Sequence, residues 1–160
     1  MAVAIENSTA STTQWGLSSA SVVLEALTEV GTSTELCLVY PALAATPKVG
    51  PVAAGQDIYW RLLVGQQPLP VQRGGGQFDQ NYLDYYSIRA VDALEAGRTA
   101  FDCGSEWSNA PLWYTSGSAV SKVLDALSIS AVLTESRVTS AASAAATSAS
   151  SGSDAVLTVP

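Results

Sequence analysis

The chain has 160 residues, 48% of them hydrophobic and only 13% charged, with fourteen acidic side chains against seven basic ones and no histidine. That length fits one domain, and a net charge of −7 with the basic residues scattered singly excludes the basic stripe that nucleic acid or an anionic membrane surface requires. The missing imidazole excludes Ser-His-Asp and Cys-His nucleophile systems, histidine-ligated zinc and histidine proton shuttles.

So little charge leaves more apolar surface than a solitary globule usually shows, and part of it is expected to be covered by copies of the chain or by another protein. The most apolar long window, residues 36–54, is broken by Pro41, Pro47, Lys48 and Pro51, so no span reads as a helix through a bilayer. The first residues carry neither the basic start nor the apolar run of an export signal, which gives the expectation of synthesis in the cytoplasm. Cys37 and Cys103 then read as two buried thiols rather than a disulfide.

In chain order, residues 1–14 pair a short apolar start with a Ser/Thr-rich stretch and read as an N-terminal arm. Residues 21–30 fit a helix through Val23, Leu27 and Val30 and a strand through Leu24, Ala26, Thr28 and Val30. The strand is preferred, because Gly31-Thr32-Ser33-Thr34 can reverse the chain into the β-favouring run 36–40 as a hairpin; a helix capped by Gly31 is the rival. Prolines make residues 41–55 an extended surface loop. Residues 57–64 read as a strand with Ile58, Trp60, Leu62 and Val64 on one face, and 66–76 as a long connection ending in three glycines. The Tyr-rich run 82–91 reads as the central strand, followed by a short strand at 98–103 and an edge strand or packed loop at 107–114. Val120, Val123, Leu124 and Leu127 share one face of a short helix over 118–127, and residues 128–139 alternate as a strand. A Ser/Ala-rich segment and an apolar tail at 155–159 complete a C-terminal arm, 139–160, beyond a β-rich body at 15–138. The expected fold is mainly β, a single-domain sandwich or barrel-like body with extended arms and at most one or two short helices.

Little in the chain points to chemistry. A Ser-x-x-Lys pair fails because Ala45 and Ala119 precede Lys48 and Lys122 by three positions, and two cysteines cannot build a zinc or iron–sulfur centre. Asp79, Asp84, Asp92, Glu95, Asp102 and Glu106 could supply an acid and a base, but carboxylates at element ends are ordinarily solvated. Asp79, Asn81 and Asp84 lack the spacing of a calcium loop, and Gly74-Gly75-Gly76 lacks that of a phosphate loop. No catalytic, cofactor or metal residue is assigned, and the chain reads as non-enzymatic. Trp107, Trp113 and Tyr114 with Tyr82, Tyr85 and Tyr86 could form a sugar-stacking platform, core packing being the simpler use. The two apolar ends suggest strand addition across a subunit boundary, which makes Val3, Ile5, Trp107, Trp113, Tyr114, Val156, Leu157 and Val159 the candidate interface residues.

With no histidine, few lysines, abundant Ser, Thr and Ala, a β-rich body and apolar arms, the chain resembles the small accessory proteins of tailed-phage virions that decorate or cement a capsid. The likeness lies in whole-chain composition and in no motif. It implies a structural homo-oligomer, commonly a trimer, bound to a capsid or other shell protein and assembled into the virion. The alternatives are a carbohydrate-binding β-sandwich module with a glycan partner and a structural component of a phage tail or fibre.

Overall fold

The segment after Ser21 is a strand. β2 (Val22–Leu27) runs antiparallel to β3 (Thr34–Val39), with Val22 opposite Val39 and Leu27 opposite Thr34. Gly31, at φ 71°, takes the left-handed backbone that the reversal between them requires. β1 (Ala2–Ile5) lies on the other side of β3, antiparallel to it, and runs parallel to β4 (Pro70–Gln72). β4 in turn runs parallel to β5 (Val91–Asp92), giving the order β2-β3-β1-β4-β5. This computed structural model describes residues 1–8, 13–28, 31, 33–103 and 112–126. The expected elements at 128–139 and 155–159, the Ser/Ala-rich segment, and Trp107 lie outside the described residues.

Two expectations about the ends and the middle of the chain are corrected. Residues 2–5 are not part of an arm but the middle strand, and all four are 0% exposed, so Val3 and Ile5 are spent on the chain's own core. A strand paired on both edges and covered on both faces must be apolar throughout, as Ala-Val-Ala-Ile is. Residues 57–64 are not a strand: they form α1 (Asp57–Leu63), continued by a 3₁₀ turn (Val64–Gln66). The buried residues are Tyr59, Trp60 and Leu63, a helical spacing, while Leu62 and Val64 of the supposed strand face stand exposed. Asp57 in the first turn meets Arg61 four residues on, at 2.7 Å, a pairing that only a helix provides.

The Tyr-rich run is corrected in the same way. α2 (Gln77–Tyr85) buries Asp79, Tyr82 and Leu83, at i, i+3 and i+4, and links Gln77 to Asn81 and Gln80 to Asp84 along its outer face. Only Val91 and Asp92 remain strand. α3 (Ala93–Ala96) and a 3₁₀ turn (Gly97–Thr99) replace most of the strand expected at 98–103, where Asp102 makes a single bridge to Tyr114. α4 (Gly117–Ala126) is the expected C-terminal helix, with Val120, Val123 and Leu124 buried.

The sheet divides the core into two layers. On one face Ala2, Cys37 and Val39 meet Tyr59, Trp60 and Leu63 of α1 and Tyr82 and Leu83 of α2. On the other, Val3, Ile5, Leu36 and Leu38 meet Val49, Val52, Phe101, Trp113 and the inner face of α4. The proline-bearing segment 41–55 is therefore no surface loop, since Val49 and Val52 are buried and bridge Thr115 and Ile5. Cys37 and Cys103 are buried free thiols in different layers, as the reduced reading expects. The fold is α/β, a five-stranded mixed sheet between short helices and packed loops, rather than a β-sandwich. No helix among the described residues is long and apolar enough to cross a membrane.

The central position of β1 carries a direct consequence. Ile5→Ala is expected to destabilise the fold by roughly 2–5 kcal/mol in urea titration, the cost of a buried large-to-small change. An arm residue would lose a few tenths of that.

Candidate functional site

The carboxyl ends of parallel strands are where open α/β sheets gather ligands. In this chain β4 ends at Gln72, β5 ends at Asp92, and α2 begins between them. Asp79, in the first turn of α2, is 0% exposed; its Oδ1 accepts from Trp60 Nε1 at 2.6 Å and its Oδ2 from Gln72 Nε2 at 2.9 Å. The same Gln72 NH₂ approaches Asp92 Oδ2 at 3.4 Å. Asp92 accepts the backbone N–H of Gly74 at 2.9 and 3.0 Å and caps α3 through Leu94 N–H at 2.8 Å. Burial pushes the Asp79 carboxyl above its usual range, against the lowering effect of the Trp60 and Gln72 donors.

This cluster has the residues of an acid/base pair and lacks the space. Gly55 N–H bonds Gly74 O at 2.7 Å, and the backbone of Gly55 and Gly75 closes over the carboxylate. A Cβ at Gly75 would overlap Asp79 Oδ2, and one at Gly55 would overlap Gln72 Oε1. No substrate atom fits where a methyl group does not. The cluster instead fastens α1, α2, β4 and β5 to one another through charge-assisted hydrogen bonds. Of the carboxylates singled out from the sequence, the fold brings Asp79 and Asp92 together. Asp84 is exposed and holds Gln80, Glu95 is exposed on α3, and Glu106 lies outside the described residues. Sequence reasoning missed Gln72 and Trp60; a glutamine ending the apolar run before Arg73 was the available signal.

A second feature is an open pocket of about 410 Å³ on the far side of the molecule's other layer, walled by the 98–102 turn, by Tyr114 and by the first turns of α4. Lys48, Arg98 and Lys122 line it together with Asp102. Lys48 Nζ sits 4.6 Å from the centre of the Trp15 ring and 4.3 Å from that of Tyr114.

A third is the outer edge of the sheet. β2 has no strand beyond it among the described residues, and Val22, Val23 and Leu27 are 40%, 47% and 65% exposed. The aromatic residues proposed as one platform are divided between layers. Trp113 is buried against Phe101 with the Arg73 guanidinium over its ring, whereas Tyr82, Tyr85 and Tyr86 stack on one another at α2 across the sheet. Of the expected interface set, then, Val3, Ile5 and Trp113 are core, Tyr114 lines the pocket, and Trp107, Val156, Leu157 and Val159 lie outside the described residues. No group of three or more potential metal ligands occurs among the described residues.

Residues 1–130 match a family model described as the N-terminal domain of a protein of unknown function (DUF3048). Among solved structures, the chain is similar to the YerB protein from Bacillus subtilis, with 25% identity and a TM-score of 0.70 over 80% of this chain. The match spans 43% of the YerB chain. No curated protein matches.

The sealed cluster makes two measurable demands. Gly75→Ala is expected to cost about 2–3 kcal/mol through overpacking against Asp79, and at least ~1 kcal/mol less in an Asp79→Ala background, because a double-mutant cycle reports groups in contact. A carboxyl whose pKa is raised by folding contributes most below its unfolded value of about 3.9 and loses that contribution as pH rises through its folded value. Asp79→Asn should therefore flatten the pH dependence of stability in that window, as followed by urea titration at successive pH values.

Proposed function

We propose, from the premise that the chain belongs to the DUF3048 N-terminal-domain family, that it is a non-catalytic interaction domain that self-associates through the open edge of β2. The observation that carries this reading is the exposure of Val22, Val23 and Leu27 on a six-residue edge strand. Thr28 N–H bonds Ser33 O, and with the β2–β3 register this turns the even-numbered backbone groups of β2 inward. The N–H and C=O groups of Val23, Glu25 and Leu27 therefore face the free edge.

Edges left open to solvent are ordinarily protected by lysine, proline or a bulge. This one has neither lysine nor proline, and its one charge, Glu25, is engaged by the Thr34 hydroxyl at 2.7 Å. α1 covers the Leu24 and Ala26 side of the strand, which leaves Val23 and Leu27 bare on the other. Two copies can add edge to edge about a two-fold axis, and pairing centred on Leu24 keeps the two Glu25 carboxylates from facing each other. Such a contact builds a dimer, where the resemblance to capsid-decoration proteins implied a trimer.

The engaged carboxylates support the non-catalytic half of the reading, since buried Asp79 and half-buried Asp92 are committed to Trp60, Gln72 and backbone N–H groups. A capsid-decoration form of the role rests on composition alone, and the edge strand supports self-association without naming the assembly. The sugar-binding alternative is weakened by the division of its aromatic residues between two layers.

Light scattering over a concentration series should show a dimer. Val23→Lys with Leu27→Lys should weaken it at least about a hundredfold, ~2.8 kcal/mol, with the circular dichroism spectrum unchanged. A monomer at every concentration, or a dimer indifferent to both lysines, would overturn the reading.

A further inference from the structure

The helix that roofs the β2 edge leaves one flank unused. Gln56, at the start of α1, donates to Glu35 Oε2 at 2.6 Å, and Glu35 is the register partner of Ala26 on β2. On its other side α1 meets α2: Trp60 Nε1 reaches Asp79, and the Arg61 guanidinium lies 4.7 Å from the centre of the Tyr82 ring. α2 is itself tied to β4 through Asp79 and Gln72, so it stands inward of α1, and the β2 edge lies outward. At about 100° per residue, Asp57, Trp60 and Arg61 take the α2 side of the helix, and Ile58, Tyr59 and Leu62 take the outer side.

Leu62 therefore projects over the open edge, where it is 46% exposed, while Ile58 one turn earlier is half-buried against the same core layer. Below them Val22, which shares the face of Leu24 and Ala26, is 40% exposed. The two charges of α1, Asp57 and Arg61, are paired with each other at 2.7 Å on the α2 side, so the outer flank is purely apolar.

Edge-to-edge pairing of β2 brings this flank against its own copy. Cross-strand partners point to one face of a sheet, so both α1 helices of such a pair lie on the same side. α1 packs on Leu24 and Ala26 of β2 and on Cys37 and Val39 of β3, which sets it above the gap between those strands. With strands spaced by about 4.8 Å, two helices so placed stand about 10 Å apart, the distance at which helices pack. Helices directly above β2 would clash at about 5 Å, and helices above β3 would miss each other at about 14 Å.

We infer that the self-association surface has two layers, Ile58 and Leu62 of α1 packing against the same two residues of a second copy above the paired β2 strands. The inference rests on the β2-edge reading and adds to it an isologous apolar contact with no charge to repel the partner. Backbone pairing alone tolerates a slip in register; side chains that meet above it do not.

Sedimentation equilibrium on the full chain tests the inference. Leu62→Glu should weaken the dimer at least about tenfold, with the circular dichroism spectrum and urea midpoint unchanged because the side chain is half-exposed. Leu94→Glu makes the same change at an exposed leucine of α3, beyond the far end of the sheet, and should alter the dimer by less than about twofold. In a glutathione redox buffer Leu62→Cys should give a disulfide-linked dimer and Leu94→Cys none, Cys37 and Cys103 being buried. A dimer that the β2 lysines disrupt but that is indifferent to Leu62→Glu overturns the helix layer and leaves the edge reading standing. A dimer indifferent to the lysines, or a monomer at every concentration, overturns both.

Discussion

β1 supplies four residues, yet both halves of the sheet are hydrogen-bonded through it. On one side it pairs antiparallel with β3, and through β3 with β2; on the other it pairs parallel with β4, and through β4 with β5. Its alternating side chains feed both layers of the core, Ala2 beneath α1 and α2, Val3 and Ile5 beneath the loops and α4. Parallel pairing of β1 with β4 joins segments more than sixty residues apart, so the fold depends on long-range contacts being satisfied together. The small alanines on the helix side are part of the same constraint, because the large Trp60 and Tyr59 rings of α1 must come down onto that face.

The acidic cluster is the lock that the parallel half adds. β4 and β5 are three and two residues long, too short to hold α2 by ladder bonds alone. Asp79 and Asp92, bridged by one Gln72 amide, tie the strand ends to the start of α2 and to the Gly74 turn. The direction of that amide is dictated by chemistry, since only its NH₂ end can face two carboxylates. Its Oε1 faces Gly55 and accepts no hydrogen bond among the described residues, an unsatisfied group whose cost is about 1–3 kcal/mol. Asp79 is likewise held ionisable in a place that disfavours its charge. Such groups persist where removing one partner would strand the others, and they confer a unique geometry more than net stability.

The elements legible in the sequence were those that a period or a neighbouring turn signal could decide, residues 21–30 fitting either period on their own. The β2–β3 hairpin was marked by Gly31 and the β-favouring run after it, and α4 by its Val120, Val123, Leu124 face. α1 and α2 were misread because aromatic residues favour strands and because Ile58, Trp60, Leu62 and Val64 alternate by coincidence. Side-chain links at i, i+4, such as Asp57–Arg61 and Gln77–Asn81, were the local sign of helix that hydropathy overlooked. β1 was illegible for a different reason: nothing local distinguishes a short apolar terminal segment that frays from one that the rest of the chain closes around. The site was less legible still. Trp60, Gln72 and Asp79 stand on three different elements, α1, β4 and α2, and no spacing rule connects residues that only the folded sheet and its helices bring together.

That last point turns the charge argument around. Scattered cations in an acidic chain argue against a long basic surface, but scatter along the chain says nothing about scatter in space. With charged residues at 13%, each cation placed at the pocket is one withheld from the rest of the surface. The β2 edge, with Glu25 as its one charge, is the counterpart of that choice. Among the described residues, then, cations meet at one concavity and Val23 and Leu27 stay bare on an edge strand, two kinds of surface set by different chemistry.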